Sequence, residues 1–206
     1  HFVSEFGLTG GIGSGKSAAS ERLVALGAGL VDADATVKQL QRAGMPVFLA
    51  IVAHFGDGVV GGDGELDRPS LADIVFNDTE ELKKINELVH PAVRTDMARQ
   101  RKALSKTHEI IVLDIPLLID SENQIELAGI VVVDTPTDVA IERLTTLRGF
   151  STKDANARIS SQVSRETRLA KADFVVDNSA SLAALDDEIA RCWQWMGEIH
   201  QAAGQP

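Results

Sequence analysis

Residues 10–17 read Gly-Gly-Ile-Gly-Ser-Gly-Lys-Ser and match the pattern G-x-x-x-x-G-K-[ST] at every defined position. An apolar run precedes them and a helical pattern follows. Glycines let such a loop turn tightly, so that its backbone N–H groups converge on phosphate at the positive end of the following helix. Lys16 is expected to neutralise the β and γ phosphates, and the Ser17 hydroxyl to ligate Mg²⁺. The stretch predicts a nucleotide-binding loop between a strand and a helix.

Outward from this loop, short β-branched runs alternate with longer helical stretches, as in a parallel sheet covered by helices. The runs predicted to be strands are residues 2–8, 29–31, 110–113, 130–133 and 174–176. The predicted helices are residues 17–26 with a stop at Gly27, 79–89, 91 to about 105, 136–147, and two that start at Ser151 and Ser164. His90-Pro91 is expected to break the long helical pattern in two, because proline disfavours helix at the preceding residue.

The interval from about 32 to 109 is predicted to be mostly helical, with a glycine-rich loop at residues 56–64. We interpret it as a helical insertion on one side of the sheet and expect a single compact domain over residues 1–206. In this prediction the core covers about 2–31, 109–147 and 172–203. The helical insertion covers about 35–105, and a further segment covers about 148–171.

Charge and composition exclude some classes of function. The chain has 30 acidic and 20 basic residues and a formal charge of −10, which argues against a nucleic-acid partner. Its longest apolar runs are about five residues, far short of the roughly 20 that span a bilayer. One cysteine, Cys192, cannot form an internal disulfide, so nothing requires an oxidising compartment. We expect a soluble cytoplasmic protein with no membrane partner; its oligomeric state is open, and a monomer is plausible.

A nucleotide loop alone does not define the reaction. The sequence has no N-K-x-D or D-x-x-G element of a signalling GTPase, whereas metabolic kinases pair the loop with an acceptor site and a basic lid. Asp32 and Asp34 follow the second predicted strand, where the ligand crevice of a parallel sheet lies. A carboxylate there can hold an acceptor hydroxyl and take its proton. The alternative is that Asp34 caps the following helix, and the local sequence does not decide between these roles.

Residues 141–171 contain seven Lys or Arg against three Asp or Glu, which suits a clamp over ATP with an arginine near the transferring phosphoryl group. The alternative is a solvated helical face with i, i+4 ion pairs. Asp114 follows the third predicted strand, residues 110–113. It could orient Mg²⁺ through water or could be an ordinary strand-end carboxylate. His90 is more simply a local structural histidine than a catalyst.

Together these residues resemble the dephospho-CoA kinase family over about residues 6–200. The motifs that carry the resemblance are, in chain order, residues 7–17, Asp32-Ala33-Asp34, Leu88-Val89-His90-Pro91, Asp114-Ile115-Pro116-Leu117-Leu118, Arg158-Ile159 with Gln162, and Ala172-Asp173 with Asp177-Asn178. The resemblance implies an α/β P-loop kinase fold with a five-stranded parallel sheet of order 2-3-1-4-5, flanked by helices. It further implies that the helical insertion of about 35–105 binds the acceptor and that about 148–171 form a mobile lid. It also implies ATP-dependent phosphorylation of the 3′-hydroxyl of dephospho-CoA with Mg²⁺, the last step of coenzyme A biosynthesis.

The resemblance also assigns candidate roles. Asp34, Lys16 and Arg148 are the candidate catalytic residues, with Asp34 deprotonating the acceptor hydroxyl. The candidate ATP-binding residues are Gly11, Ile12, Gly13, Ser14, Gly15, Lys16, Ser17, Arg143 and Arg148. The candidate acceptor-binding residues are Thr9, Asp32, Asp34, His90, Pro116, Leu117 and Leu118.

Two positions depart from the family pattern. Leu147 stands where the family usually has an arginine, and Arg148 follows it as the candidate replacement, so which arginine reaches the phosphates is open. Asp120 stands where the family often has the longer glutamate. The rival readings are a kinase of another small metabolite or nucleoside monophosphate, and a regulatory nucleotide binder that acts through a partner.

Overall fold

The structure, a computed structural model, describes residues 2–115 and 125–205. The chain divides into two compact units. The first consists of His1–Val31 and Ala103–Pro206, and the second of Asp32–Lys102. The helices in chain order are α1 (Lys16–Leu26), α2 (Ala33–Leu40), α3 (Pro46–Phe55), α4 (Arg68–Asn77), α5 (Thr79–Leu104), α6 (Thr137–Arg148), α7 (Thr152–Ser160), α8 (Arg165–Ala170) and α9 (Leu182–Ala203).

A parallel sheet forms the centre of the first unit. Within the described residues its strands are β1 (Ser4–Gly10), β2 (Gly29–Asp32), β3 (Ile110–Asp114), β4 (Gly129–Asp134) and β5 (Phe174–Asp177), in the order β2-β3-β1-β4-β5. The central strand β1 pairs in parallel with both β3 and β4, and β4 pairs in parallel with β5. The predicted fold class, strand order and approximate strand positions are confirmed.

The strands are apolar because helices cover both faces of the sheet. All five residues of β3 are buried, and Phe6 and Leu8 of β1 are fully buried. Side chains of α9 pack into the same core, where the rings of Phe6 and Trp195 meet edge to face with centroids 5.4 Å apart. A continuous apolar run is what a strand buried on both faces requires.

Helix ends follow the predicted signals. Gly27 adopts a φ of +116°, and its N–H reaches the Leu23 and Val24 carbonyls to end α1. Ser151 caps α7 by accepting a hydrogen bond from the Asp154 amide, and Ser164 caps α8 in the same way from the Thr167 amide. These predicted boundaries are confirmed.

The second unit is helical around its own apolar cluster, which includes Phe48, Ile51 and Val89. Here one prediction is wrong, because α5 runs without a break through His90 and Pro91. Proline removes the hydrogen bond that its missing N–H would make to the Glu87 carbonyl, and its ring crowds the same carbonyl. Val89 and Met97 are buried on either side of it, so packing holds both halves in one helix. The predicted glycine-rich loop contains a short 3₁₀ turn at Asp57–Val59.

In the described ranges 2–115 and 125–205, the helices are all too short or too polar to cross a membrane.

Candidate active site

The loop at residues 10–15 joins the end of β1 to the start of α1. Gly13 and Gly15 adopt φ values of +78° and +81°, a conformation that side chains other than glycine rarely take. A Cβ on Gly10 would lie 2.6 Å from Ser14 Oγ and 2.8 Å from the Val133 carbonyl oxygen. The loop therefore needs its glycines both for backbone conformation and for close approach to β4.

This geometry leaves backbone donors open for a ligand. The amides of Gly13, Gly15, Lys16 and Ser17 donate no hydrogen bond to any residue that the structure describes. They lie at the N-terminus of α1, where the helix dipole favours negative charge. A run of free N–H groups at a helix start is the arrangement that binds phosphate.

Two buried side chains from neighbouring strand ends hold the loop in place. Asn178 follows β5, and its Nδ2 donates to the Ser14 carbonyl at 2.8 Å. Thr135 follows β4, and its hydroxyl lies 3.2 Å from the same carbonyl and from the Asn178 carbonyl. A hydroxyl has one hydrogen, so Thr135 can donate to only one of them at a time. The Ser14 hydroxyl itself is buried and has no hydrogen-bond partner among the described residues.

The lysine of the loop lies beside a buried carboxylate. Lys16 Nζ forms an ion pair with Asp114, which ends β3 and is only 3% exposed. Pairing fixes the direction of a long, flexible side chain that would otherwise sample many rotamers. Ser17, one residue further, is exposed, and its hydroxyl makes no hydrogen bond within the described part of the chain.

The basic segment after β4 contacts the loop through Gln162 and Arg168, and the end of β4 through Arg165. Gln162 Oε1 accepts a hydrogen bond from the Ile12 amide at 2.9 Å. The Arg168 guanidinium lies against Gly11, because a Cβ there would come within 2.6 Å of Arg168 Nη2. Arg165 forms a two-pronged ion pair with Asp134, at 2.9 and 2.7 Å, and these hydrogen bonds raise the pKa of the arginine. All of them line a crevice beside Ile12 and Ser14.

The two predicted ATP-binding arginines are placed differently. Arg143 in α6 donates to the Thr135 hydroxyl at 3.3 Å and lies near Gly15. Arg148 is the last residue of α6, is exposed, and has no recorded partner among the residues described. The structure therefore brings Arg143 and Arg168 to the loop region, while Arg148 has no described contact there.

The acidic candidates lie at the start of the second unit. Asp32 caps α2, since its carboxylate accepts from the Ala35 amide at 2.9 Å. Asp34 lies in the first turn of α2, is exposed, and has no hydrogen-bond partner among the described residues. The alternative cap role for Asp34 is thus taken by Asp32, and the Asp34 carboxylate is left open to solvent.

The remaining acceptor candidates belong to different units or lie outside the described residues. Thr9 lies inside β1 and is 3% exposed, whereas His90 is exposed on α5. Pro116, Leu117 and Leu118, like Asp120, lie outside the described residues.

Some residues at the site were not predicted from the local sequence. Thr135 and Asn178 contact Ser14 across more than a hundred residues of chain, and neither matches a local motif. Asn178 and Gln162 entered only through the family resemblance. The positive charge of the segment 141–171 indicated a basic element, but the count could not single out Arg168.

The residues present fit a magnesium nucleotide. The free loop amides, the directed Lys16 ammonium and the exposed Ser17 hydroxyl match what phosphate and a hard cation require. Among the described residues, no three His, Cys, Asp or Glu side chains form a metal cluster of their own. Ser17 is the described loop residue whose hydroxyl could ligate a magnesium ion beside bound phosphate.

Comparison with known proteins agrees with this geometry. The family model described as dephospho-CoA kinase matches residues 5–184. A dephospho-CoA kinase of Thermobifida fusca is 42% identical over 188 residues, 91% of this chain and 94% of the relative. One of Streptomyces avermitilis is 40% identical over 196 residues, 95% of this chain and 94% of the relative.

Solved structures point the same way. A crystal structure of a Thermus thermophilus protein superimposes with a TM-score of 0.80 at 31% identity, covering 95% of this chain and 98% of the other. The dephospho-CoA kinase from Campylobacter jejuni gives a TM-score of 0.68 at 27% identity, covering 94% and 97%. On this breadth of agreement, this chain belongs to the dephospho-CoA kinase family.

Proposed function

We infer that this protein transfers the γ-phosphoryl group of ATP to the ribose 3′-hydroxyl of dephospho-CoA, giving coenzyme A and ADP. This is the last step of coenzyme A biosynthesis. The observation that carries the proposal is the family match over residues 5–184 together with the phosphate loop formed within that range.

The ATP site is proposed on the loop of the first unit. The free amides of Gly13, Gly15, Lys16 and Ser17 would bind phosphate oxygens, and Lys16 would spread its charge over the β and γ phosphates. Asp114 pairs with Lys16 and directs its side chain. When bound, Mg²⁺ supplies charge neutralisation at the β and γ phosphates, and Ser17 is the residue proposed to hold it.

Asp34 is proposed as the base. In the transfer, the 3′-oxygen of the acceptor forms a bond to the γ phosphorus, and the bond from that phosphorus to the ADP oxygen breaks. The hydroxyl proton passes to the Asp34 carboxylate. The Asp34 carboxylate is exposed and has no hydrogen-bond partner among the described residues, which supports this role. A carboxylate that already accepts hydrogen bonds as a helix cap would be a weaker proton acceptor.

The arginines are proposed to stabilise charge on the transferring group. Arg143 and Arg148 remain candidates from the sequence, and the contact of Arg168 with Gly11 makes it a third. We further propose that residues of about 148–171 act as a lid and those of about 35–105 bind the acceptor. Thr9, Asp32, His90 and Pro116–Leu118 stay proposed acceptor contacts. The proposal places the enzyme in the cytoplasm, where ATP and Mg²⁺ are abundant.

The test is ADP release with Mg²⁺-ATP, with and without dephospho-CoA, combined with mass spectrometry of the acceptor. We expect ADP formation to depend on dephospho-CoA and the acceptor to gain one phosphate. ATP binding without this dependence would refute the acceptor assignment and favour another small-molecule kinase or a regulatory binder.

Two variants test the residues. Lys16→Ala should weaken both ATP binding and transfer. Asp34→Asn should lower kcat by about 10²-fold or more while ATP affinity stays near that of the wild type. Asp187→Asn is the matched control, since Asp187 is an exposed helical aspartate with no recorded partner among the described residues. Unchanged turnover in Asp34→Asn would remove Asp34 as the base.

A further inference from the structure

A series of hydrogen bonds within the second unit joins α5 to the first turn of α2, the turn that carries Asp34. Gln100 of α5 donates from Nε2 to Thr36 Oγ1 at 2.9 Å and to Asp96 Oδ2 at 2.7 Å. The Thr36 hydroxyl in turn donates to the Asp32 carbonyl at 2.8 Å. We call these four residues, Asp96, Gln100, Thr36 and Asp32, the Gln100 network.

Each donor and acceptor of the Gln100 network has one consistent role. Thr36 gives its single hydroxyl hydrogen to the Asp32 carbonyl, so its oxygen accepts from Gln100. Hydrogen bonds from Arg99 and Gln100 hold the pKa of Asp96 below its usual value, and an ionised carboxylate can only accept. Both neighbours of Gln100 therefore require a donor, and the two hydrogens of Nε2 serve one each.

The Gln100 network holds the beginning of α2, whereas apolar packing holds the rest of that helix. Val37 and Leu40, further along α2, pack against the apolar cluster of the second unit. Thr36 is only 2% exposed, so water cannot readily take the place of Gln100 as the donor to its hydroxyl oxygen. Loss of Gln100 therefore leaves a buried acceptor with one donor fewer and releases the first turn from α5.

Asp34 lies between two members of this network in the chain. Its carboxylate has no hydrogen-bond partner among the described residues, so its position depends on how the turn that carries it is held. In the described part of the chain, Gln100 is the side chain from outside α2 that hydrogen bonds to this turn. A misplacement of about 1 Å at a reacting group can cost about 10²-fold in rate.

We propose that Gln100 is a positioning residue for phosphoryl transfer, which fixes the first turn of α2 through Thr36 and thereby places the Asp34 carboxylate. This deepens the proposed function and rests on it, since Asp34 is the base assigned there. Gln100 acts on the chemical step and not on nucleotide binding, because the ATP site is proposed on the loop of the first unit.

Steady-state kinetics of Gln100→Ala on the full chain test the proposal. We expect kcat to fall about tenfold or more while the KM for ATP stays at the wild-type value, as for a displaced base. Gln194→Ala is the matched control, because Gln194 Nε2 of α9 donates at 3.0 Å to Glu198, a carboxylate four residues away on the same helix. It removes the same amide from a helix of the first unit and should keep the wild-type kcat and KM.

Two substitutions at Thr36 separate hydrogen bonding from packing. Thr36→Val keeps the branched shape and removes the hydroxyl, whereas Thr36→Ser keeps the hydroxyl and removes a methyl group. We expect Thr36→Val to lose kcat as Gln100→Ala does and Thr36→Ser to keep most of the wild-type kcat. A role in packing alone would give the opposite order, because the site is buried.

A double-mutant cycle tests whether Gln100 acts through Asp34. In the Asp34→Asn background the base is already lost, so Gln100→Ala should cause no further fall in kcat. The proposal is overturned if Gln100→Ala keeps the wild-type kcat, if its effect is as large in the Asp34→Asn background, or if Thr36→Val is more active than Thr36→Ser. Failure of the proposed function looks different, because the wild type would then not phosphorylate dephospho-CoA or Asp34→Asn would keep full turnover.

Discussion

The Ser14 carbonyl gives the most quantitative test of how the phosphate loop is held. It accepts from Asn178 at 2.8 Å and can accept from Thr135 at 3.2 Å, and both donors are buried. A hydrogen bond contributes about 1 kcal/mol net, whereas a buried carbonyl left without any donor costs about 1–3 kcal/mol. When Asn178 is truncated, the single Thr135 hydrogen can turn from the Asn178 carbonyl to Ser14.

We therefore expect Asn178→Ala and Thr135→Val each to lower the free energy of unfolding by about 1 kcal/mol. The double variant removes both donors and should lose about 3–4 kcal/mol, more than the sum of the single changes. Urea unfolding at equilibrium measures all three values, and ATP affinity should weaken most in the double variant. Additivity to within about 0.5 kcal/mol would refute the shared-acceptor reasoning.

Three further predictions concern other parts of the chain. Arg168→Ala should lower kcat by about 10²-fold and more than Arg148→Ala does, because Arg168 lies against Gly11 whereas Arg148 makes no contact with the loop among the described residues. The opposite order in a turnover assay would contradict this. Burial raises the pKa of the Cys192 thiol to about 12. An aromatic disulfide reagent at about pH 8 should therefore label this thiol only after urea unfolding. Rapid labelling of the native protein would be inconsistent with the burial. Hydrogen bonds from the Ser70 side chain and amide hold the pKa of Asp67 below its usual 3.8. The wild type should therefore be more stable than Asp67→Ala above that pH, and this difference should shrink as the pH falls through the pKa of the folded state. A difference that stays constant in acid unfolding curves would argue against it.

Much of the fold could be predicted because its signals are local. The run of glycines before Lys16 defines a strand, a loop and a helix by itself, and continuous apolar stretches define strands buried on both faces. The wrong prediction at Pro91 shows the limit of such rules. Pro91 costs the helix a hydrogen bond and crowds the preceding turn. Burial of Val89 and Met97 on either side of Pro91 outweighs this cost.

The candidate site was less predictable where partners are distant in sequence. Neither the spacing nor the type of Thr135 indicates that its hydroxyl meets Ser14, because the contact exists only once β4 lies beside β1. The excess of positive charge indicates a basic segment over residues 141–171. Which arginine of that segment meets Gly11 depends on how α8 packs, and no local pattern encodes this.

The position of β1 in the sheet has a consequence for synthesis on the ribosome. Ser4 pairs with Ile110 and Phe6 with Gly129, so β1 must wait for about a hundred more residues before either neighbouring strand is made. At about 5–20 residues per second the wait is on the order of 5–20 s. The whole of Asp32–Lys102 emerges in that time and has its own apolar cluster to fold around. The nascent chain must therefore keep an apolar, unpaired strand from aggregating. The phosphate loop, although translated before both neighbouring strands, takes its final shape only after them.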